Sequence, residues 1–283
     1  MTGTLRHRAG RIRLSMLLLV VVTLLAGCGG DGGDGTLIRV APDKTIDAGT
    51  SRLALNVNFT TGAEARTVHG EGVVDLKNRL GAVTVDLGSL GGSLGTGTVD
   101  TVLDPSGLYV KLPPGLLPGG RPWYKLELAT LSPQAGLSLG SLGQLAQTDP
   151  TQALGYLRGA TDDVSEVGEE SVRGVSTTHY RAPIDLRKAS ASLPPDGKKA
   201  VEDLIASSGS ATLPADVWLD AEGRLRRMKF SLDPDGAGPT SAGTVELELF
   251  EFGVAADVQI PPADQVTDLT QLFQGGTPPS LPS

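Results

Sequence analysis

The chain has one cysteine, Cys28, among its 283 residues, and it has few other side chains suited to metal binding or catalysis. It contains 3 histidines, and no pair of them has the spacing of zinc ligands. A single thiol cannot form an intramolecular disulfide, so the fold must depend on an apolar core and on sheet hydrogen bonds. We therefore expect no metal, no cofactor and no enzymatic activity.

One short motif is compatible with a catalytic serine. Gly91-Gly92-Ser93-Leu94-Gly95 spells Gly-x-Ser-x-Gly. A nucleophile at such a turn requires a strand before it and a helix after it, whereas this segment lies in a Gly/Ser/Leu-rich loop that no helical pattern follows. We interpret the motif as a chance match and predict no catalytic residue.

Positive charge is also scarce. The chain has 24 basic and 32 acidic residues, a net charge of −8, and no basic run. An acidic chain gains nothing from neutralising phosphates, which argues against a nucleic-acid partner. Anionic membrane surfaces would also repel an acidic chain, so any membrane attachment must come from another source.

The N-terminus has the pattern of a bacterial lipoprotein signal. Four arginines precede a mostly apolar segment, residues 14–25, and the box Leu25-Ala26-Gly27-Cys28 follows. About 12 apolar residues are too few for a membrane span, which needs roughly 20. These features predict a signal peptide over residues 1–27, removed in the mature protein, and a lipidated Cys28. Removal of the four arginines would leave 20 basic and 32 acidic residues, a net charge of −12.

The composition along the chain predicts the bounds of the tether, the domain and the C-terminal tail. A glycine-rich stretch follows Cys28, so residues 28–50 are interpreted as the lipidated N-terminus and a flexible tether. Residues 51–270 are predicted to form one domain, because no linker or composition shift divides them. Residues 271–283 are predicted to be a disordered tail.

Period-two alternation dominates the domain. Leu53, Leu55, Val57 and Phe59 alternate with polar or small residues, and similar segments recur to residue 250. Two stretches have helical spacing instead, residues 150–158 and 195–207. This is an α+β pattern of about ten antiparallel strands with two helical insertions. Either an ordinary filled core or an apolar hollow is compatible with it, and small residues such as Gly70 and Gly72 would leave room for a hollow.

Several motifs resemble the LppX/LprG family of actinobacterial cell-envelope lipoproteins, which have a LolA-like fold. They are Gly107-Leu-Tyr-Val-Lys111, Trp123-Tyr-Lys125, Val217-Trp-Leu-Asp220 followed by Gly223-Arg-Leu-Arg226, and Ile260-Pro-Pro-Ala-Asp-Gln-Val266. The resemblance covers about residues 50–270. It implies a single curved antiparallel sheet, a half-barrel, with helices over its concave face and a lipid-sized apolar cavity between them. The loops 88–97 and 136–143 are unusually rich in glycine and leucine, so the resemblance implies neither cavity size nor cargo.

Candidate positions follow from side-chain size and strand parity within this implied fold. The candidates for the cavity wall are Leu55, Val57, Phe59, Val83, Val85, Val110, Leu126, Trp218, Met228, Phe230 and Leu247. The candidates for a mobile lid are Leu154, Leu157, Leu204 and Ile205.

The resulting functional hypothesis is a monomeric extracytoplasmic lipoprotein that acyl chains such as palmitate hold on the cell membrane through Cys28. It would bind, and transfer, a lipid or lipoglycan, with an envelope transporter as a further partner. The alternative is a tethered envelope sensor or regulator that uses the same fold to bind a partner protein. Ala/Gly/Arg-rich usage and the resemblance indicate an actinobacterial source.

Overall fold

Twelve strands form one open sheet among the residues that the computed structural model describes, which are 33–61, 64–86, 88, 97–112, 120–126, 150–193, 195–232 and 243–268. The strands are β1 (Thr50–Thr61), β2 (Glu64–Asp75), β3 (Leu80–Asp86), β4 (Thr98–Asp104), β5 (Gly107–Lys111), β6 (Trp123–Leu126), β7 (Ser165–Val172), β8 (Val175–Asp185), β9 (Thr212–Leu219), β10 (Leu225–Leu232), β11 (Gly243–Phe250) and β12 (Val266–Asp268). The sequence predicted about ten strands. The additional ones include the three-residue β12, which is too short to show alternation.

The order across the sheet is β12-β6-β5-β4-β3-β2-β1-β11-β10-β9-β8-β7. Every described pairing is antiparallel except that of β12 with β6. The order runs from β12 to β7 without closing, so the predicted fold class, a single open antiparallel sheet with helical insertions, is confirmed. The predicted lipobox residues Leu25, Ala26, Gly27 and Cys28, the loop residues 89–96 and 136–143, and the tail 271–283 lie outside the described residues.

Four helices accompany the sheet within this part of the chain: α1 (Gly33–Asp47), α2 (Pro150–Tyr156), α3 (Leu186–Ser190) and α4 (Pro195–Ser208). A short 3-10 turn, Leu157–Gly159, continues α2. Two of these helices, α2 and α4, are the predicted insertions, and each begins at a proline, whose missing N–H costs nothing at a first helical position. The side chain of Asp185 caps α3 by accepting hydrogen bonds from the backbone N–H groups of Arg187 and Lys188.

Helix α1 corrects the predicted tether. Residues 28–50 were expected to be flexible, yet 33–47 form a helix in which Ile38 and Ala41 are fully buried. Pro42 lies inside this helix and is itself buried, so packing outweighs the usual helix-breaking effect of proline. Thr45 Oγ1 donates to the carbonyl of Ala41 and accepts from the N–H of Leu225, which joins α1 to the start of β10.

The main core lies between the helices and one face of the sheet, called here the inner face. Odd-numbered residues of β1 and β9 and even-numbered residues of β10 point into it, because Leu55 lies opposite Leu247, Leu247 opposite Met228, and Met228 opposite Val217. The helices contribute Ile38, Leu154, Leu157, Leu186, Val201 and Leu204. The opposite, outer face carries the polar alternates of the same strands.

Glycines on β2 allow a close approach of β3. A Cβ atom at Gly72 would lie 2.0 Å from the carbonyl oxygen of Ala82 and 2.7 Å from the Cα of Val83, and one at Gly70 would lie 3.2 Å from a methyl group of Val83. The room that these glycines were expected to leave for a hollow is therefore occupied by the neighbouring strand.

We predict that Gly72→Ala destabilises the protein by roughly 1–3 kcal/mol, because the new methyl group must displace the backbone of β3. Gly97→Ala is the matched control, since a Cβ atom there meets nothing within 4 Å. Urea unfolding followed by circular dichroism measures both variants. Equal midpoints for the two variants would contradict the close approach of β2 and β3.

Candidate functional site

The inner face of β1 to β5 carries a group of apolar side chains that are only half-buried. This inner apolar patch consists of Leu55, Val68, Val83, Val85 and Val110. Strand register places the five on one face, since Gly70 lies opposite both Leu55 and Val85, and Thr101 lies opposite both Val83 and Val110. Leu55, Val68 and Val83 also pack against the main core, so the patch is continuous with it.

The patch offers mainly apolar contact, with the buried Tyr124 opposite Val110 on the same face. Its members are leucine and valine, and the neighbouring positions on the same face include Gly70 and Thr101. The hydroxyl of Thr101 donates to the carbonyl of Val83 at 2.8 Å, so it is already engaged. A ligand on these residues would be held by burial of apolar area, a non-directional force that scales with that area.

The predicted wall residues divide into four groups. Val57, Met228, Phe230 and Leu247 are buried in the main core, at 1–5% exposure. Leu55, Val83, Val85 and Val110 belong to the inner apolar patch. The side chains of Phe59 and Leu126 lie outside the described residues, although both residues are in strands of the sheet. Trp218 lies on the outer face.

The predicted lid residues are buried or half-buried in the main core. Leu154 and Leu157 are fully buried, Leu204 is nearly so, and Ile205 is half-buried against the same core. The ring of Tyr156 meets Phe230 of β10 edge-on, with 6.1 Å between centroids. Burial raises the pKa of Tyr156 to about 12. The Tyr156–Phe230 contact places α2 against β10 on the inner face.

The position of Trp218 corrects its assignment to the cavity wall. It lies opposite His179 and Arg227, on the face away from Val217. Its ring stacks on that of His179, with 4.2 Å between centroids and an angle of 12°. Val217, Trp218 and Leu219 are all apolar, so alternation could not indicate which of them faces inward.

His179 is held between two carboxylates on the outer face. Its Nδ1 lies 2.9 Å from Glu170 Oε1, and its Nε2 lies 2.9 Å from Asp216 Oδ1. Trp218 Nε1 donates to the second oxygen of Glu170 at 2.8 Å. The hydrogen bonds from Trp218 and His179 lower the pKa of Glu170. Glu170, His179 and Asp216 come from three different strands, so the sequence pattern did not predict this cluster.

Glu248 is the centre of a second outer-face cluster. Its side chain is 7% exposed and accepts hydrogen bonds from Arg173, in the β7–β8 turn, at 2.6 Å and from Arg227 of β10 at 2.8 Å. The guanidinium of Arg173 also lies 3.9 Å from the ring centroid of Phe250. Burial acts to raise the pKa of Glu248, but the hydrogen bonds and charges of the two arginines outweigh it, so this pKa lies below its ordinary value.

The motif around residues 217–226 forms a third cluster. The side chain of Asp220 is 1% exposed, and its Oδ2 accepts from Nε of Arg224 at 2.9 Å and from Nε of Arg226 at 2.8 Å. Both guanidinium groups lie about the ring of Phe252, at 5.0 and 4.7 Å from its centroid. Burial opposes ionisation of Asp220, yet the backbone N–H of Arg224 and the two side chains keep its pKa lowered. These contacts give the motif a structural role.

The clusters on the outer face do not form a metal site. Among the described residues, no group of three His, Cys, Asp or Glu side chains could hold a metal ion. His69 is exposed, and its Nδ1 lies 2.7 Å from Asn56 Oδ1. The Gly91-x-Ser-x-Gly95 motif lies outside the described residues. A search of this part of the chain for helices that are long and apolar enough to cross a membrane finds none.

Comparison with known proteins gives distant relatives. No family model matches the chain. A curated protein of Streptomyces griseus, described as an uncharacterized 31.2 kDa protein, is 27% identical over 172 residues, which are 58% of this chain and 54% of that protein. The chain therefore spans about half the length of the curated relative that it matches.

Solved structures similar to the chain include two lipoproteins of the family that the motifs resemble. LppX of Mycobacterium tuberculosis is 17% identical, with 79% of this chain and 99% of that chain covered and a TM-score of 0.44. LprF of Mycobacterium bovis is 15% identical, with 82% and 98% covered and a TM-score of 0.45. A LolA superfamily protein of Nitrosomonas europaea is 9% identical, with 80% and 94% covered and a TM-score of 0.30.

We predict that Glu248→Gln destabilises the fold at pH 7 by roughly 3 kcal/mol, because two partly buried guanidinium groups lose their shared carboxylate. The lowered pKa of Glu248 means that its contribution is complete above the pKa in the unfolded chain, about 4.3, and is lost as pH falls through the lower folded value. Wild type should therefore lose stability below about pH 4 more steeply than the variant. Urea unfolding at several pH values tests this, and parallel pH profiles would contradict it.

Proposed function

We propose that the chain is an extracytoplasmic lipoprotein that binds one lipid or lipoglycan on the inner apolar patch and transfers it within the cell envelope. The observation that carries the proposal is the patch itself. Five leucine and valine side chains lie half-buried on one continuous face, beside a core in which equivalent residues of β9 to β11 are almost completely buried. A sheet face on which apolar side chains stay half-buried beside a closed core is suited to an apolar ligand.

The energetics favour a lipid over a small polar ligand. An acyl chain of about 16 carbons loses roughly 12 kcal/mol when it is transferred from a bilayer to water, at about 0.8 kcal/mol per methylene. A surface of leucine and valine can offset much of this loss without directional contacts. No bond is made or broken in such a transfer, so the proposed function needs no catalytic group.

The anchor is the second part of the proposal. Lipidation of Cys28 in the box Leu25-Ala26-Gly27-Cys28 would hold the mature chain on the outer side of the cell membrane. Two or three acyl chains are enough for stable attachment, whereas one is not. A monomeric carrier held at a membrane could collect its cargo there and pass it to an envelope transporter or to a second membrane.

We predict that Val85→Trp reduces lipid uptake at least fivefold, because the indole ring would fill the space beside Leu55 and Val83 that an acyl chain would occupy. Thr84→Trp is the matched control, since Thr84 is the exposed neighbour on the same strand and faces outward. Uptake of a fluorescent phospholipid, titrated into protein that has been stripped of lipid, measures the effect. Thermal unfolding of both variants shows that each is folded.

Unchanged uptake by a folded Val85→Trp variant would show that the inner apolar patch is not the binding surface. Failure of the wild-type protein to take up any lipid would contradict the carrier proposal as a whole. A stable protein partner recovered with such an empty chain would then favour the sensor or regulator alternative.

For the anchor, we predict that Cys28→Ala abolishes acylation and leaves an uncleaved precursor, because the modified thiol marks the cleavage site. Cys28→Ser is a conservative second variant that also lacks the thiol. Intact-mass measurement of the protein in a native actinobacterial host reports both acylation and cleavage. A cleaved Cys28→Ala protein that stays on membranes through carbonate washing would contradict the lipid anchor.

A further inference from the structure

The first half of helix α1 presents two exposed apolar side chains to solvent. Leu37 is 41% exposed and Val40 is 37% exposed, and they are two of the four large apolar residues that are exposed in the described part of the chain. They lie three residues apart, so they share one face of the helix. Thr36, also exposed, lies beside them. We call Thr36, Leu37 and Val40 the outer α1 face.

Charged residues near this face are engaged in ion pairs. Arg39 donates to Asp162 at 3.0 Å and to the carbonyl of Ala160 at 3.0 Å. Asp43 accepts two hydrogen bonds from Arg158, at 2.6 and 3.1 Å, and they lower its pKa. These pairs direct two of the charged side chains of α1 toward the 3-10 turn and the segment that follows it. The three residues of the outer α1 face are uncharged, and the exposed Lys44 lies one turn after Val40.

The outer α1 face is also close in sequence to the proposed anchor. Gly33, the first residue of α1, is five residues after Cys28, so their Cα atoms are at most about 18 Å apart, even in a fully extended chain. Leu37 lies about 6 Å farther along the helix and Val40 about 10 Å farther. A lipidated Cys28 would therefore keep the Cα atoms of Leu37 and Val40 within about 28 Å of its own Cα atom.

We propose that the outer α1 face docks on the membrane that holds the acyl chains of Cys28. The proposal rests on lipidation of Cys28 but not on lipid binding at the inner apolar patch. Two half-exposed side chains are too few to bind a bilayer from solution. A tether of five residues raises the effective concentration of these side chains at the bilayer surface, so that a weak contact can form.

Docking at α1 fixes the orientation of the sheet. Helix α1 is joined to β10 through the bond from the Leu225 N–H to Thr45 Oγ1, at 2.9 Å, and to the 3-10 turn through Arg158. Ile38 and Ala41, on its other side, are fully buried in the main core. The helix cannot leave the domain without exposing them. A membrane contact at Leu37 and Val40 would therefore orient the whole described domain, including the inner apolar patch, relative to the bilayer.

The test uses the full lipidated chain in phosphatidylcholine vesicles that contain 20% phosphatidylglycerol, with and without bromine-labelled acyl chains that quench tryptophan. Val40→Trp is compared with Ile260→Trp, which replaces another exposed apolar residue, 50% exposed, between β11 and β12. Wild type supplies the background from Trp123 and Trp218. We expect bromolipid to quench at least half of the added emission of Val40→Trp and little of that of Ile260→Trp. Intact mass confirms that each sample is acylated.

Three results would overturn the proposal. Unquenched Val40→Trp in acylated protein contradicts docking and leaves the anchor intact, whereas an unacylated mass contradicts both. Equal quenching of Val40→Trp and Ile260→Trp shows a contact that is not specific to α1. A concentration-dependent emission shift of Val40→Trp in protein that begins at residue 29, without vesicles, would instead assign the face to a second copy of the chain. Lipid uptake by the same variants is unaffected in every case, so the carrier proposal is tested separately.

Discussion

Burial of one face of a single sheet is the constraint on which the rest of the structure depends. Twelve strands in one open layer present a long apolar face, and residues of β1, β2 and β8 to β11 form the main core with the described helices. Leu249, Met228 and Val217 are consequently at most 1% exposed, whereas Leu55, Val83 and Val85 on the adjoining strands are half-buried. The uneven cover creates both a stable core and an apolar surface next to it. The proposed lipid binding uses the second without disturbing the first.

The outer face stabilises the same sheet by a different means. Each of its clusters has a carboxylate at the centre: Glu170 beside His179, Glu248 between two arginines, and Asp220 between two others. These side chains connect strands or turns that are distant in sequence, such as the β7–β8 turn and β11. Ion pairs of this kind stabilise less than apolar burial, but removal of one partner is costly when the other is buried. The ion pairs of the outer face therefore help to fix the strands relative to one another. They do not involve the apolar inner face, on which the lipid is proposed to bind.

Helical spacing predicted the two insertions α2 and α4, and alternation along the chain predicted the antiparallel sheet. Alternation failed where its signal is ambiguous. Val217, Trp218 and Leu219 are consecutive apolar residues, so the local sequence does not indicate which of them faces the core. Their pairing with β8 and β10 decides it. Helix α1 was missed because Pro42 and the preceding glycines oppose helix formation locally, while buried contacts of Ile38 and Thr45 stabilise it. The roles of Gly70 and Gly72 likewise depended on how closely β3 approaches β2.

Native mass spectrometry of the acylated protein, purified from its own host and followed by lipid extraction, tests the central claim most directly. Our account predicts one lipid or lipoglycan bound per chain, released only under conditions that unfold the protein or dissolve apolar ligands. A folded, acylated protein that carries no such molecule, and takes up none after incubation with host lipids, would contradict it.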